Sequence, residues 1–458
     1  MISLKITSHA HLGPFNAADH QEVCDQITQR LTFPNPAYQE AEKRGFYTGN
    51  IPRQIRGYRL NDGRDRLVIP RGFMAQLVGI LRGASVQYRL EDRRRTLPEV
   101  DFTFHGQLRD FQVEAVEVMA ARDFGTLAAP TGSGKTVMAL ELIARRCQPA
   151  LIVVHTKELL DQWVDRIETF LDIAAGEVGR IGGGKLTVGD KITVALVQSL
   201  YKCAGEVAPF IGHLVVDECH RCPSRTFLEA VTVFDCRYMT GLSATPWRRD
   251  GLSRLIYWHL GDKVHEVDKA ALVEAGHVLQ AEVIYRETAF EPYHDPSAEY
   301  SQMLSELTRD PERNGLIADD VAQEAQGNAP GVCLVLSDRV AHCKTLVELL
   351  VARGVTVAML TGDLPAADRR RVVEALNGGQ VKVLVATGAL LGEGFDCREL
   401  STLFLTTPIK FNGRLLQYLG RVLRPAPGKD TARVFDYLDP VGVLESAARA
   451  RQRVYGGG

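Results

Sequence analysis

Ala129-Pro130-Thr131-Gly132-Ser133-Gly134-Lys135-Thr136 places two glycines, a lysine and a threonine at the spacing of a loop that wraps a phosphate chain. Gly132 and Gly134 let backbone N–H groups turn inward above a helix N-terminus, where anionic oxygens are favoured. Lys135 would reach the terminal phosphates and Thr136 would ligate Mg²⁺, with Pro130, Thr131 and Ser133 completing the cradle. Ala129 stands where the general pattern has its first glycine. Asp217-Glu218-Cys219-His220 follows the apolar run His213–Val216. At that strand end Asp217 would hold the metal's water shell, while Glu218 would orient and deprotonate an attacking water. The hydroxyls of Ser243 and Thr245, which close the next apolar run, are expected to hydrogen-bond to His220. Gln417, Arg421 and Arg424 are expected on one helix face, where two guanidinium forks suit phosphate oxygens and would serve as arginine fingers. The chemistry these residues suggest is phosphoryl transfer to water.

Such residues need strands to aim them. The loop lies between Thr126-Leu127-Ala128 and the helical pattern Val137–Ala144. Further strand candidates are 150–154, 192–196, 213–216 and 238–242, then 332–336, 355–360, 381–386, 402–405 and 434–437. Continuous apolar strands alternating with helices predict two parallel sheets, each covered on both faces. The expected organisation is a small α+β accessory domain over 1–103, a first α/β domain over 104–285, a helical connector over 286–330, a second α/β domain over 331–442 and a basic C-terminal helix over 443–458. A ligand cleft is expected between the two α/β domains.

Composition sets outer limits. The chain has 458 residues, a net charge of −2 and 24% charged residues, which excludes a globally basic nucleic-acid coat. Its ends are more basic: Lys+Arg against Asp+Glu is 15 to 11 over 1–105 and 9 to 4 over 409–458. Nine scattered cysteines point to a reducing compartment, and Cys219, Cys222 and Cys236 read as small apolar residues rather than a zinc site. The N-terminus has no signal-peptide pattern, and no apolar run reaches membrane-spanning length, so a cytoplasmic protein without membrane partners is expected. Arg93-Arg94-Arg95 and the C-terminal Arg449, Arg451 and Arg453 are basic clusters that read equally as solvated faces or phosphate contacts.

In this order the motifs resemble those of superfamily 2 helicases and translocases over residues from about 108 to 440. The Ala-x-x-Gly-x-Gly-Lys-Thr form of the loop is common in these motors. The resemblance implies two tandem RecA-like domains, ATP and Mg²⁺ as cofactors, and a nucleic-acid track. Leu108-Arg109-Asp110-Phe111-Gln112 is similar to the adenine-side motif, with Gln112 as base reader. His155–Trp163 and Ala195–Leu200 resemble strand-contacting motifs, which assigns Thr156, Lys157, Gln198 and Ser199 to nucleic acid. In the second domain Arg339, Thr361, Gly362 and Thr387 take the same role by resemblance, and Glu393, Gly394 and Asp396 couple strand contact to ATP. Thr240–Asp250 is similar to an XPB-type segment ending Arg-Glu-Asp, with Arg248 assigned to nucleic acid and Arg249 replacing the glutamate. The N-terminal part looks like the small DNA-binding domain of XPB-like and UvsW-like proteins. The implied function is an ATP-dependent DNA helicase or duplex translocase in repair, recombination or defence, working as a monomer with a nuclease or repair protein as partner. Alternatives are an RNA helicase, a non-catalytic clamp, and the motor subunit of a restriction complex whose nuclease is a separate chain.

Overall fold

The computed structural model describes residues 1–221, 225–244, 251–327, 331–362, 364–388, 397, 399–409, 412–426, 429 and 431–455. They form two units, residues 1–130 with 134–267 and residues 131–133 with 268–458.

In the first unit, Ala150–Val154 and His213–Val216 are buried along their whole length. A strand with no wet face must be covered on both sides, which is the setting of a parallel sheet. The eight-stranded sheet runs Lys185–Leu186, Gly179–Gly182, Ile192–Leu196, Ala150–Val154, His213–Val216, Tyr238–Ser243, Phe124–Ala128, Lys263–Glu266. All pairs are parallel except the outer hairpin of 179–182 with 185–186. This order sets Ala128, Ser243 and Val216 at the C-terminal ends of three adjacent strands, where open α/β sheets bind ligands.

The second unit has a six-stranded, wholly parallel sheet ordered Ala281–Glu287, Ala432–Leu438, Leu400–Leu405, Val332–Ser337, Val383–Thr387, Val357–Leu360. Two expected boundaries move. Ala281–Glu287 pairs with Ala432–Leu438, so the first α/β region ends before residue 285. The 286–330 segment is not a mere connector either. Helix Pro311–Gln326 buries Ile317, Ala318, Val321 and Ala322 in the core beneath the second sheet. Its polar face had masked that apolar stripe in the sequence.

The N-terminal residues form a five-stranded sheet ordered Arg59–Leu60, Leu67–Pro70, His9–Gly13, Ile2–Ile6, Tyr88–Asp92, packed by helices Ala17–Arg30 and Met74–Gly83. Its core does not close on itself. Leu255 and Trp258, from helix Ser253–Leu260 far along the chain, belong to the same buried cluster as Leu4, Phe73 and Leu77. Gly72 is needed there, because a Cβ would lie 2.6 Å from the Trp258 carbonyl oxygen. Buried Arg71 donates to the Cys236 carbonyl at 2.6 Å.

Part of each basic cluster turns inward. Arg94 pairs with Asp92 and Asp123, and Arg95 with Asp235, so neither is a free phosphate contact. On the C-terminal helix Gly442–Tyr455, Arg451 is buried and grips Asp436 at 2.7 Å, while Arg449 pairs with Glu445 on the surface. Among the described residues no cluster of metal-ligating side chains occurs, and no helix is long and apolar enough to cross a membrane.

Candidate active site

Gly132 and Gly134 adopt φ values of +89° and +84°. Any other residue would be strained in this left-handed region, by about 1–2 kcal/mol. Gly134 also leaves room for Gln112, whose Nε2 would lie 2.4 Å from an added Cβ. From Gly134 the chain enters helix Lys135–Arg146, which buries Met138, Ala139, Leu142 and Ile143 and directs its N-terminus at the loop. The Lys135 ammonium donates to the Ala129 carbonyl at 3.1 Å, so the lysine lies across its own loop. Thr136 is half-buried at the first turn of that helix, and Ser133 is buried.

Asp217 and Glu218 leave the buried strand His213–Val216 together. Glu218 has φ of +48°, a strained conformation for a non-glycine residue and one that recurs at functional sites. Asp217 accepts hydrogen bonds on both oxygens, from the Glu218 backbone N–H at 2.9 Å and from the Trp163 indole N–H at 2.9 Å. Burial, and next the neighbouring Glu218 charge, push the Asp217 carboxyl above its usual range. Burial pushes Glu218 the same way, but its contact with His220 and the positive charge of Lys135 outweigh this and hold it low. The pair thus divides into a carboxyl raised by burial and a carboxylate held low by His220 and Lys135. Paired buried carboxyl oxygens are the hard donors that a divalent cation such as Mg²⁺ takes.

His220 Nδ1 lies 3.2 Å from Glu218 Oε2 and 3.0 Å from Ser243 Oγ, which ties the acidic strand end to its neighbour. Thr245, Arg248, Glu393, Gly394 and Asp396 lie outside the described residues. Gln112 is buried, and its side-chain carbonyl accepts from the Arg109 backbone N–H at 3.0 Å, closing the first turn of helix Asp110–Ala120.

The strand-contact candidates fall into two groups. Lys157 and Gln198 are exposed, Ser199 is partly so, and Thr156 caps helix Lys157–Leu171 by accepting from the Leu159 N–H at 3.3 Å. In the second unit Gly362 is open, Thr387 is partly covered, and Arg339 donates to Ser301 at 3.3 Å. The Thr361 side chain is 3% exposed, which leaves little of it for a strand to touch.

Helix Asn412–Val422 carries the backbone of Gln417 and of Arg421, and the Gln417 side chain lies outside the described residues. Arg424 was expected on this helix but lies beyond it. Pro425 follows directly, and the residue before a proline is disfavoured in helical conformation. Lys429 clips this turn: its buried ammonium donates to the carbonyls of Leu400, Val422 and Arg424, and burial brings its pKa down to about 8.

Sequence reasoning missed Lys429 and undervalued two residues near Asp217. Trp163 falls within the segment that resembles a strand-contacting motif, yet its buried indole N–H must find an acceptor. His155, at the end of Ala150–Val154, has a buried Nε2 without a hydrogen-bond partner, and burial with the nearby Arg221 lowers its pKa to about 4.

Residues 105–248 match the family profile described as "Type III restriction enzyme, res subunit", and residues 317–426 match "Helicase conserved C-terminal domain". The chain belongs to the superfamily 2 helicases. It is an ATP-hydrolysing enzyme of that family, and its two parallel-sheet units are the RecA-like domains that the family carries. Among curated relatives, "Probable helicase D10" of Escherichia phage T5 is 27% identical over 380 residues, covering 82% of this chain and 81% of that protein. "DNA 3'-5' translocase XPB2" of Sulfurisphaera tokodaii is 38% identical over 149 residues, 32% of this chain and 33% of that one. The fold is shared with a fragment of a putative HsdR subunit of a type I restriction enzyme from Vibrio vulnificus, at a TM-score of 0.57 and 18% identity over 76% of this chain and 66% of that one.

Proposed function

We propose that this helicase-family ATPase is a DNA motor that couples ATP hydrolysis to movement along duplex or branched DNA. The observation that carries the reading is the acidic pair at the end of His213–Val216, joined through His220 to Ser243 and placed under the influence of Lys135. In this reading Lys135 and the loop amides of Gly132 and Gly134 bind the triphosphate. Asp217 and Thr136 hold Mg²⁺, which when bound neutralises phosphate charge. Glu218, ionised and fixed by its backbone, takes the proton of the attacking water. Arg421 and Arg424 are assigned to phosphate oxygens of ATP, and Gln112 to the base. His220 and Ser243 transmit the state of the acidic pair to the next strand. Thr156, Lys157, Gln198, Ser199, Arg339, Gly362 and Thr387 are assigned to the strand, through backbone phosphates that make binding salt-sensitive and independent of sequence. The N-terminal sheet is assigned to DNA as well. The local 38% identity to a protein named as a DNA translocase supports DNA as the track.

A second reading, a motor subunit that works beside a separate nuclease, draws on the restriction-enzyme profile matched by residues 105–248. ATPase assays with duplex, single-stranded and forked DNA and with RNA test the main reading. Stimulation by duplex or forked DNA is expected; stimulation by RNA alone would overturn it. Displacement of a third strand without duplex opening would identify a translocase.

A further inference from the structure

Trp163 is 2% exposed on the inner face of helix Lys157–Leu171, beside Leu160, Val164 and Ile167. A phenylalanine or leucine would fill such a position. What tryptophan adds is the indole N–H, and it is aimed at Asp217 Oδ2, 2.9 Å away. The other oxygen of that carboxylate is held by the Glu218 N–H at 2.9 Å, so the two bonds together fix the carboxylate plane. The same helix begins at Thr156 and Lys157, seven and six residues earlier, about 10 Å along the axis at 1.5 Å per residue.

We propose that Trp163 is a positioning residue: its N–H sets the orientation of the Asp217 carboxylate and ties it to the helix whose N-terminus is assigned to the strand. Rotation or sliding of that helix re-aims the carboxylate, giving strand contact a direct mechanical route to the metal-holding group. The inference rests on the motor reading above for the identity of the strand, but the Trp163–Asp217 link stands apart from it.

The test uses the full chain with Trp163→Phe, which keeps an aromatic ring in the core and removes the donor. Binding of a fluorescent ATP analogue without metal should change less than about twofold. Mn²⁺ affinity of the nucleotide-bound protein, followed by electron paramagnetic resonance, should weaken about 10–100-fold, as is usual when a ligand loses its supporting hydrogen bond. The Mg²⁺ concentration for half-maximal ATPase should rise in parallel, and the fold-stimulation by DNA should fall. Unchanged Mn²⁺ affinity with only a lower melting temperature would reduce Trp163 to packing and overturn the proposal. A second measurement does not depend on that variant folding. In a Trp247→Phe protein, only Trp163 and Trp258 contribute indole N–H resonances, and one of the two should move when Mg²⁺ is added to the nucleotide-bound chain. No metal-dependent shift overturns the proposal. If no nucleic acid stimulates the wild type, the motor reading fails while the metal measurements still decide the role of Trp163.

Discussion

The two parallel-sheet units differ in how they bury particular charges. In the second unit two deep arginines meet carboxylates, although buried Lys429 meets only carbonyls: Arg313 grips Asp439 at 2.7 Å with side chains 2% and 3% exposed, and Arg451 grips Asp436 with 5% and 0%. In the first unit, buried Arg146 donates to His213, Thr240 and the carbonyls of Met119 and Arg122, whereas Arg94 pairs with Asp92 and Asp123. Asp217 is hydrogen-bonded to an indole and an amide, and Lys135 reaches it only through its field. A closed pair has spent its field on its partner. A carboxylate without a direct ion pair retains more of its field for a ligand, at a cost in stability. The Asp217 site is therefore arranged to receive charge, and the arginine pairs of the second unit to hold its shape.

The largest effect should come from the first unit's chemistry. Glu218→Gln is expected to retain nucleotide binding while turnover falls by about 10²–10⁴, the usual contribution of a positioned general base. Wild-type turnover in that variant would remove Glu218 from the role. Stability changes of different size should then separate the units. Asp436→Asn strands Arg451 in the interior and should lower unfolding free energy by about 3–5 kcal/mol. Asp217→Asn relieves a buried charge but turns an amide NH2 towards one of the two N–H donors, so unfolding free energy should change by less than about 2 kcal/mol in metal-free buffer, although activity is lost. Losses of equal size in denaturant titrations would break the contrast.

Acid should divide the units next. Burial lowers the pKa of His155 and His259 to about 4 and holds His213 well below its usual range in the first unit, while His342, at about 3, stands in the second. Below the ordinary value near 6.5, the unfolded chain takes up protons that these native imidazoles refuse, so stability falls as pH drops from about 6.5 towards 4. The first unit should lose amide-exchange protection before the second on acidification, and simultaneous loss would contradict the expectation. A further effect is expected at the loop. Gly134→Ala places a Cβ against Gln112 at a φ of +84° and should weaken ATP binding by about 1–2 kcal/mol, readable by calorimetry.

The parallel sheets were legible because strands such as Ala150–Val154 and His213–Val216 are apolar without alternation, and the loop because its glycines have a local backbone reason. Hydrogen bonds between distant segments were not legible. Nothing near Trp163 announces Asp217, 54 residues on, and nothing near Arg451 announces that Asp436 will neutralise it. Arg424 illustrates a rule available but unapplied, since Pro425 already argued against a helix there. The boundary at 285 failed because Ala281–Glu287 mixes half-buried and exposed positions at a sheet edge, a pattern weaker than that of an inner strand.

The N-terminal sheet shares its core with Leu255 and Trp258, and Gly72 lets the two regions touch backbone to backbone. Such a region cannot behave as an interchangeable attachment. A chain begun at residue 104 would present an indole and a leucine to water. Trimming this enzyme to its two RecA-like domains would open the first of them rather than simplify it.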